Sequence, residues 1–246
     1  MGKTYLPIAV MGFIVAVAAG AAAVCAALGN RWGFWDYRTG LLILKWAAYG
    51  GAVGAVIALI GGALAWLSHS HRGLSLSLIG LLIALVVLGI PWQYRQQAGR
   101  VPPIHDITTD VSNPPRFVAI LPLRKSAINT TEYGGPAIAA QQRAAYPDIV
   151  PLELALPPAE SFKKALAAAQ AMGWQIVVAD EQEGRIEATD TTFWFGFKDD
   201  IVVRITATGK GSQIDVRSLS RVGRSDIGAN AKRIRKYLNE LPKTKQ

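Results

Sequence analysis

LPIAVMGFIVAVAAGAAAVCAAL, residues 6–28, is apolar throughout, and the rest of the architecture can be worked out from this stretch. A helix rises about 1.5 Å per residue, so a stretch of this length crosses a hydrocarbon core about 30 Å thick. Lys3 precedes it, as a cation precedes a secretory signal, but the run is long for the apolar core of such a signal. We therefore predict an uncleaved membrane helix.

Two further apolar runs follow, from Leu41 to Leu67 and from Leu74 to Ile90, and Pro91 is expected to end the second of them. Aromatic residues flank the three runs, as they do at membrane–water interfaces. The flanking residues are Trp32, Trp35, Tyr37, Trp46, Trp66, Trp92 and Tyr94. Residues 1–95 are therefore predicted to form a three-helix transmembrane anchor.

Small residues recur at every fourth position of the first two predicted helices, and such ridges let helix backbones approach closely in lipid. The ridge positions are Gly12, Ala16 and Gly20 in the first helix and Gly50, Gly54, Ala58 and Gly62 in the second. Two interpretations stay open. The ridges pack the helices of one chain together, or they form a docking face for another membrane protein.

The formal net charge of +9 is concentrated near the C-terminus. Residues 216–246 contain nine cations against two acids, Asp226 and Glu240. No basic motif with interleaved aromatic residues accompanies this charge, so we expect no nucleic-acid partner. The single cysteine, Cys25, lies inside the first apolar run, which leaves the rest of the chain without a disulfide or a cysteine metal site.

Beyond the anchor, residues 96–116 are rich in Pro, Asp and Thr and predict an extended connector. Residues 117–246 predict a soluble α+β domain. It should begin with a short strand over Phe117–Leu123, followed by a short helix that starts near Gly134 and ends before Pro147.

The second half of this domain has the clearest periodicity. A helix is predicted from Pro158 to Gly173, and another over Ile227–Leu241, because apolar residues recur on one face of each. Between them we predict four strands, Trp174–Asp180, Arg185–Phe197, Ile201–Thr208 and Gln213–Ser220. Alternation within the third strand is typical of a sheet covered on one face. The predicted fold is thus three transmembrane helices followed by an antiparallel four-stranded meander flanked by helices.

The sequence offers no recognisable catalytic constellation. There is no GxSxG, no HExxH and no phosphate-binding glycine loop. His105, Asp106 and Asp110 in the connector are interpreted as turn residues, because three ligand types in such a segment are weak evidence for a metal. We therefore predict no catalytic residue, no metal, no cofactor and no small-molecule substrate of an enzyme.

The densest polar stretch is DVRSLSRVGRSDIGAN, residues 215–230. Ser225 or Asp226 fits the N-cap of the last helix, whereas Arg221 and Arg224 beside a helix N-terminus could hold a phosphate or carboxylate. Alternation places three further side chains on the open face of the sheet. The hypothetical ligand- or partner-binding surface therefore comprises Trp194, Arg204, Arg217, Arg221, Arg224, Ser225 and Asp226.

Two stretches resemble the hallmark of a known family, the domain of unknown function family 1499. They are RIEATDTTFWFGFKDDIVVRI (residues 185–205) and IDVRSLSRVGRSDIGANAKRI (residues 214–234). PPIHDITTD (102–110), QRAAYPDI (142–149) and WDYRTG (35–40) are similar to stretches of alphaproteobacterial membrane proteins of this type. The resemblance implies a fold and a location, and no established activity.

The side of the membrane is judged from two indications. Counting cations by the positive-inside rule gives five on the side of the domain and two opposite, which favours the cytoplasm. The resemblance implies the opposite side, because relatives carry lipoprotein or lumen-targeting signals. We give the resemblance the greater weight and expect a multi-pass protein of the bacterial inner membrane with a periplasmic domain.

These indications favour a non-enzymatic accessory or assembly protein of a membrane protein complex. The alternative is a binding module for an anionic envelope lipid or a small carboxylate. The expected partner is accordingly a membrane protein complex or a membrane lipid. A hydrolase that uses His105 and Asp106 is the least favoured interpretation.

Overall fold

A computed structural model describes residues 6–242 of the chain, which divides into two compact units. The first, called here the membrane unit, runs to Gln97 and also includes the tip Phe193–Gly196. The second, called the sheet domain, comprises Ala98–Thr192 and continues from Phe197.

The membrane unit contains three long helices, α1 (Leu6–Arg31), α2 (Tyr37–Leu67) and α3 (His71–Ala98). Each is long and apolar enough to cross a bilayer, so the chain is a membrane-anchored protein as predicted. The prediction that Pro91 ends the third helix was wrong, because α3 continues through it. Proline removes one backbone donor, and membrane helices tolerate that loss.

The predicted small-residue ridges face neighbouring helices of the same chain. A methyl group added at Gly12 would lie 2.8 Å from the backbone nitrogen of Ala58, and one added at Gly54 would lie 3.1 Å from that of Ala16. The other three glycines, Gly20, Gly50 and Gly62, would meet Ile83, Ala19 and Ser77 respectively. Gly12 and Gly54 thus leave room for close backbone contact between α1 and α2, whereas Gly20 and Gly62 face α3.

The sheet domain contains six strands, β1 (Asp106–Thr108), β2 (Leu152–Leu154), β3 (Gln175–Asp180), β4 (Arg185–Thr191), β5 (Lys198–Thr208) and β6 (Gly211–Ser220). Their order is β1-β6-β5-β4-β3, all antiparallel, and β2 also pairs with β6. The predicted four-stranded meander is confirmed as β3–β6. The sequence predicted four strands and the sheet has six. Strands β1 and β2 were not predicted because each has only three residues, too few to show an alternation of apolar and polar side chains.

Helices α4 (Gly135–Ala145), α5 (Pro158–Ala171) and α6 (Ala229–Glu240) correspond to the three helices predicted for this domain. The predicted strand over Phe117–Leu123 was wrong, since this stretch leads into a 3₁₀ helix, Leu121–Arg124. The long strand predicted to reach Phe197 ends instead at Thr191.

Both faces of the sheet are covered, which corrects the prediction of a single covered face. On one face Ile201 and Val203 pack with the helix residues Phe162 and Tyr237. On the other, Val202 and Leu219 pack under Phe117 and Ile120. Residues 114–131, called here the cover segment, therefore close the second face. Continuous burial from Asp199 to Val203 on β5 reflects this double coverage.

The close contact of α1 with α2 gives a testable prediction. Gly12→Leu forces side-chain atoms into the backbone of α2 and should destabilise the membrane unit by about 1–3 kcal/mol. Gly89→Leu in α3 is the matched control, because a methyl group added there meets no described atom within 4 Å. Thermal unfolding in detergent should separate the two variants. Equal melting temperatures would contradict the packing role of Gly12.

Candidate functional site

Charged side chains of the sheet lie buried beneath the cover segment, and Glu187 of β4 is the first of them. Its carboxylate accepts the backbone N–H groups of Val118, Ala119 and Ile120 at 2.9–3.1 Å. Arg185, two residues away on the same strand, pairs with the same carboxylate. Glu187 is fully buried, so its hydrogen bonds replace those that water would have made.

Asp200 of β5 is the second buried carboxylate on this face. It pairs with Arg124 of the 3₁₀ helix and with Arg221, whose Nη2 lies 2.8 Å from Asp200 Oδ1. The hydroxyl of Thr189 donates to the same oxygen at 2.8 Å. Arg221 also donates to the carbonyl of Leu123 at 2.8 Å. Two arginines therefore share one carboxylate and tie the cover segment to β5.

Arg217 of β6 makes a two-pronged ion pair with Asp106 of β1, with N–O distances of 2.9 and 2.7 Å. Its remaining donors reach the carbonyls of Pro115 and Thr131, at the two ends of the cover segment. The guanidinium lies 5.1 Å from the ring centre of Phe117. Every face of this buried cation thus has a partner within the domain.

Tyr133 also lies beside this pair, with Arg217 5.7 Å from its ring centre. Burial, and to a lesser degree the nearby Asp106 carboxylate, raises the pKa of Tyr133 to about 12. The phenol therefore stays protonated at physiological pH.

Arg204 of β5 is a further arginine on this face, and it is partly exposed. It pairs with Asp215 at 2.7 Å and with Asp110 at 2.9 Å, and it donates to the carbonyl of Asn113. Arg204 and Arg217 therefore lie on the same face of the sheet, as predicted. That face was predicted to be open, and it is covered.

The loop before α6 is organised around Asp226. Its carboxylate accepts the backbone N–H groups of Gly228 and Asn230, both at 2.8 Å, and Ser225 Oγ accepts that of Ile227 at 3.1 Å. Ile227 has a φ of 54°, which is strained for a β-branched residue. Burial raises the pKa of Asp226, and the two backbone N–H groups oppose that shift. The prediction of Ser225 or Asp226 as the N-cap was wrong, because the N-cap of α6 is Gly228, with a φ of 80°. Asp226 still accepts an N–H group of the first turn from its place two residues earlier.

Trp194 and Arg224 lie apart from the buried arginines. Trp194 lies in the tip Phe193–Gly196, which belongs to the membrane unit. It is not in β4, which ends at Thr191. Arg224 is exposed, and among residues 6–242 its guanidinium makes no hydrogen bond or ion pair. The seven predicted site residues are thus distributed over three places, and a binding role for them stays a prediction.

Asp106 and Asp110, interpreted from the sequence as turn residues, instead pair with Arg217 and Arg204, and Asp106 lies in β1. Glu187 was not recognised from the sequence. Glu187 and Asp200 alternate onto the same face as Arg217, and that alternation was the one available signal. A further buried network on the helix side was also missed. There Arg233 of α6 pairs with Asp199 at 2.6 Å and with Asp190 at 2.8 Å.

One open cleft of about 290 Å³ lies at the edge of the covered face. Its lining combines three arginines with prolines and valines, and its members are Asn113, Pro114, Pro115, Arg116, Val118, Glu183, Arg185, Val202 and Arg204. Arg116 is exposed, and it has no hydrogen-bonded or ionic partner within the described part of the chain. Within that part there is also no group of three His, Cys, Asp or Glu residues that could hold a metal ion.

These features define a membrane-anchored protein whose α+β domain keeps its buried charged residues in internal ion pairs. The chain matches the family described as "Protein of unknown function (DUF1499)" over residues 106–241, more than half of its length, and it belongs to that family. The resemblance drawn from residues 185–205 and 214–234 is confirmed. No curated protein and no solved structure matches the chain.

Two arginines of the predicted surface should behave differently when changed. Arg217→Gln leaves Asp106 buried and unpaired and should cost about 3–5 kcal/mol, seen as a melting temperature lower by about 10 °C or more. Arg224→Gln removes an exposed charge and should change stability by less than about 0.5 kcal/mol. Thermal unfolding of the purified full chain measures both. Similar melting temperatures for the two variants would refute the assignment of Arg217 to a structural pair.

Proposed function

We propose that this protein is a non-enzymatic accessory protein of a membrane protein complex, and that it binds its partner through the cover segment. The observation that carries the proposal is a group of large aliphatic side chains on that segment. Val118, Leu121, Leu123 and Ile128 lie within eleven residues, and each exposes between 47% and 56% of its surface. Single exposed aliphatic residues are common, but several on one short segment are typical of a protein-binding surface.

The backbone beneath these side chains is held in place by the buried charges. Glu187 binds the backbone of Val118, and Arg221 binds the carbonyl of Leu123. The carbonyl of Arg221 also accepts the N–H of Ile128 at 3.0 Å. A surface fixed before binding loses little conformational entropy when a partner docks, which favours affinity.

The location proposed for this function is the periplasmic side of the bacterial inner membrane. Three helices that are long and apolar enough to span a bilayer support the anchoring. The side rests on the family resemblance alone, which implies relatives whose lipoprotein or lumen-targeting signals carry the domain out of the cytoplasm. An accessory domain on that side would meet the exported parts of a membrane complex.

A second candidate function is the binding of an anionic lipid headgroup or a small carboxylate. The cleft next to Arg204 favours it, because Arg116 and Arg185 also line it and Arg116 has no internal partner within residues 6–242. Val202 and Pro114 supply apolar walls. Guanidinium groups beside apolar walls suit a ligand with one charged and one apolar part.

Co-purification in mild detergent tests the leading proposal against the second candidate. Leu123→Glu should reduce retention of a stoichiometric protein partner about tenfold or more, since a charge replaces a buried leucine at the interface. Val150→Glu is the matched control, because Val150 is an exposed aliphatic residue outside the cover segment. Both variants should keep the melting temperature of the unaltered protein.

Mass spectrometry of the purified protein reads out both candidates. Loss of a protein partner in Leu123→Glu alone supports the accessory function. A bound anionic lipid that is retained in Leu123→Glu and lost in Arg116→Gln supports the second candidate. If no partner depends on Leu123, the proposed role of the cover segment is wrong.

The side of the membrane can be tested with one introduced cysteine. In a Cys25→Ser background, Lys210→Cys places a single thiol in the exposed turn between β5 and β6. A membrane-impermeant maleimide should label this thiol in cells whose outer membrane alone has been permeabilised. Labelling that requires lysis of the inner membrane would place the domain in the cytoplasm.

A further inference from the structure

The tip Phe193–Gly196 belongs to the membrane unit although it joins two strands of the sheet domain. Asn30 Nδ2 donates to the carbonyl of Phe195 at 2.5 Å, and Arg31 Nη1 donates to that of Phe193 at 2.5 Å. The guanidinium of Arg31 also lies 5.6 Å from the centre of the Phe193 ring. The tip is therefore held by the last two residues of α1.

A glycine makes this contact possible. Gly196 has a φ of 66°, and a methyl group added there would lie 3.1 Å from the Cα atom of Arg31. The neighbouring Phe195 packs inward, since a methyl group added at Gly40 on the first turn of α2 would lie 3.3 Å from its ring. The tip thus fits against α1 and α2 with one aromatic ring directed towards the helices.

The two preceding rings are mostly exposed. Phe193 exposes 73% of its surface and Trp194 exposes 56%, and their rings contact each other edge to face at 5.3 Å. The short connection between α1 and α2 contributes Trp32 and Phe34, which are also exposed. Four exposed aromatic rings therefore belong to the same end of the helices in the membrane unit.

The depth of these rings follows from the helix that holds them. Arg31 is the last residue of α1, and a helix that spans the bilayer ends near the level of the headgroups. Tryptophan and phenylalanine rings beside a cation are typical of this interfacial level, where apolar rings meet acyl chains and guanidinium groups meet phosphates. The lipid interface is therefore the environment that suits the exposed aromatic rings at this level.

We infer that the tip Phe193–Gly196 is an interfacial membrane anchor, with Phe193 and Trp194 inserted among lipid headgroups and the first acyl carbons. The chain then contacts the bilayer through a fourth element besides its three helices. This role is independent of partner binding by the cover segment. It also accounts for the sequence FWFG, in which Phe195 and Gly196 fit the helix ends while Phe193 and Trp194 face lipid.

A depth-quenching measurement on the full chain in phospholipid nanodiscs tests this inference. In the Cys25→Ser background, Trp194→Cys and Lys210→Cys are each labelled with an NBD maleimide. Phosphatidylcholine with a doxyl group near the top of the acyl chain serves as the quencher. We expect the label at position 194 to be quenched at least threefold more strongly than the label at position 210.

Two further arms make the result decisive. Phe193→Cys reports on the neighbouring ring position and covers the case in which Trp194→Cys fails to fold. Gly196→Leu, which should displace the tip from α1, is combined with Trp194→Cys and should lower the quenching. Equal quenching at positions 193, 194 and 210 would overturn the inference and leave the rings facing water.

Discussion

The carboxylate of Glu187 has no contact with solvent and accepts three successive backbone N–H groups of the cover segment. Much of the sheet domain depends on this interaction and on the arginine–carboxylate pairs beside it. A buried carboxylate without such donors would be very costly, so the cover segment and the charged face require each other. Residues 114–131 are irregular, so side chains make hydrogen bonds to their backbone N–H and C=O groups. In a strand, those groups would pair with the backbone of a neighbouring strand.

This arrangement separates the charged residues into two kinds. Arg217 and Arg221 are used internally and hold the cover segment in place, which gives its exposed aliphatic side chains a fixed position. Arg116 and Arg224 stay exposed and carry the charge that an external ligand would meet. In the membrane unit, small residues bring α1 and α2 together, and the tip aromatics face outward. The partner, ligand and lipid contacts proposed above would therefore use different surfaces of the chain.

Much of the fold could be predicted because its elements are long and periodic. The apolar runs predicted the anchor, and alternation predicted β3–β6 and the faces of Arg204 and Arg217. The cover segment could not be predicted, because its conformation depends on Glu187, which lies roughly seventy residues later. Asp106 and Arg217 are 111 positions apart, and no spacing rule connects them. Trp194 was misplaced because a strand pattern continued through the tip.

Amide hydrogen exchange at Val118, Ala119 and Ile120 tests the central claim, which is that the buried carboxylate holds the cover segment on the sheet. In the unaltered protein these amides should be as protected as those in the middle of β5. In Glu187→Ala they should exchange about a hundredfold faster, in line with the loss of hydrogen bonds to a charged group, while β5 stays protected. Unchanged protection of the three amides in that variant would contradict the account.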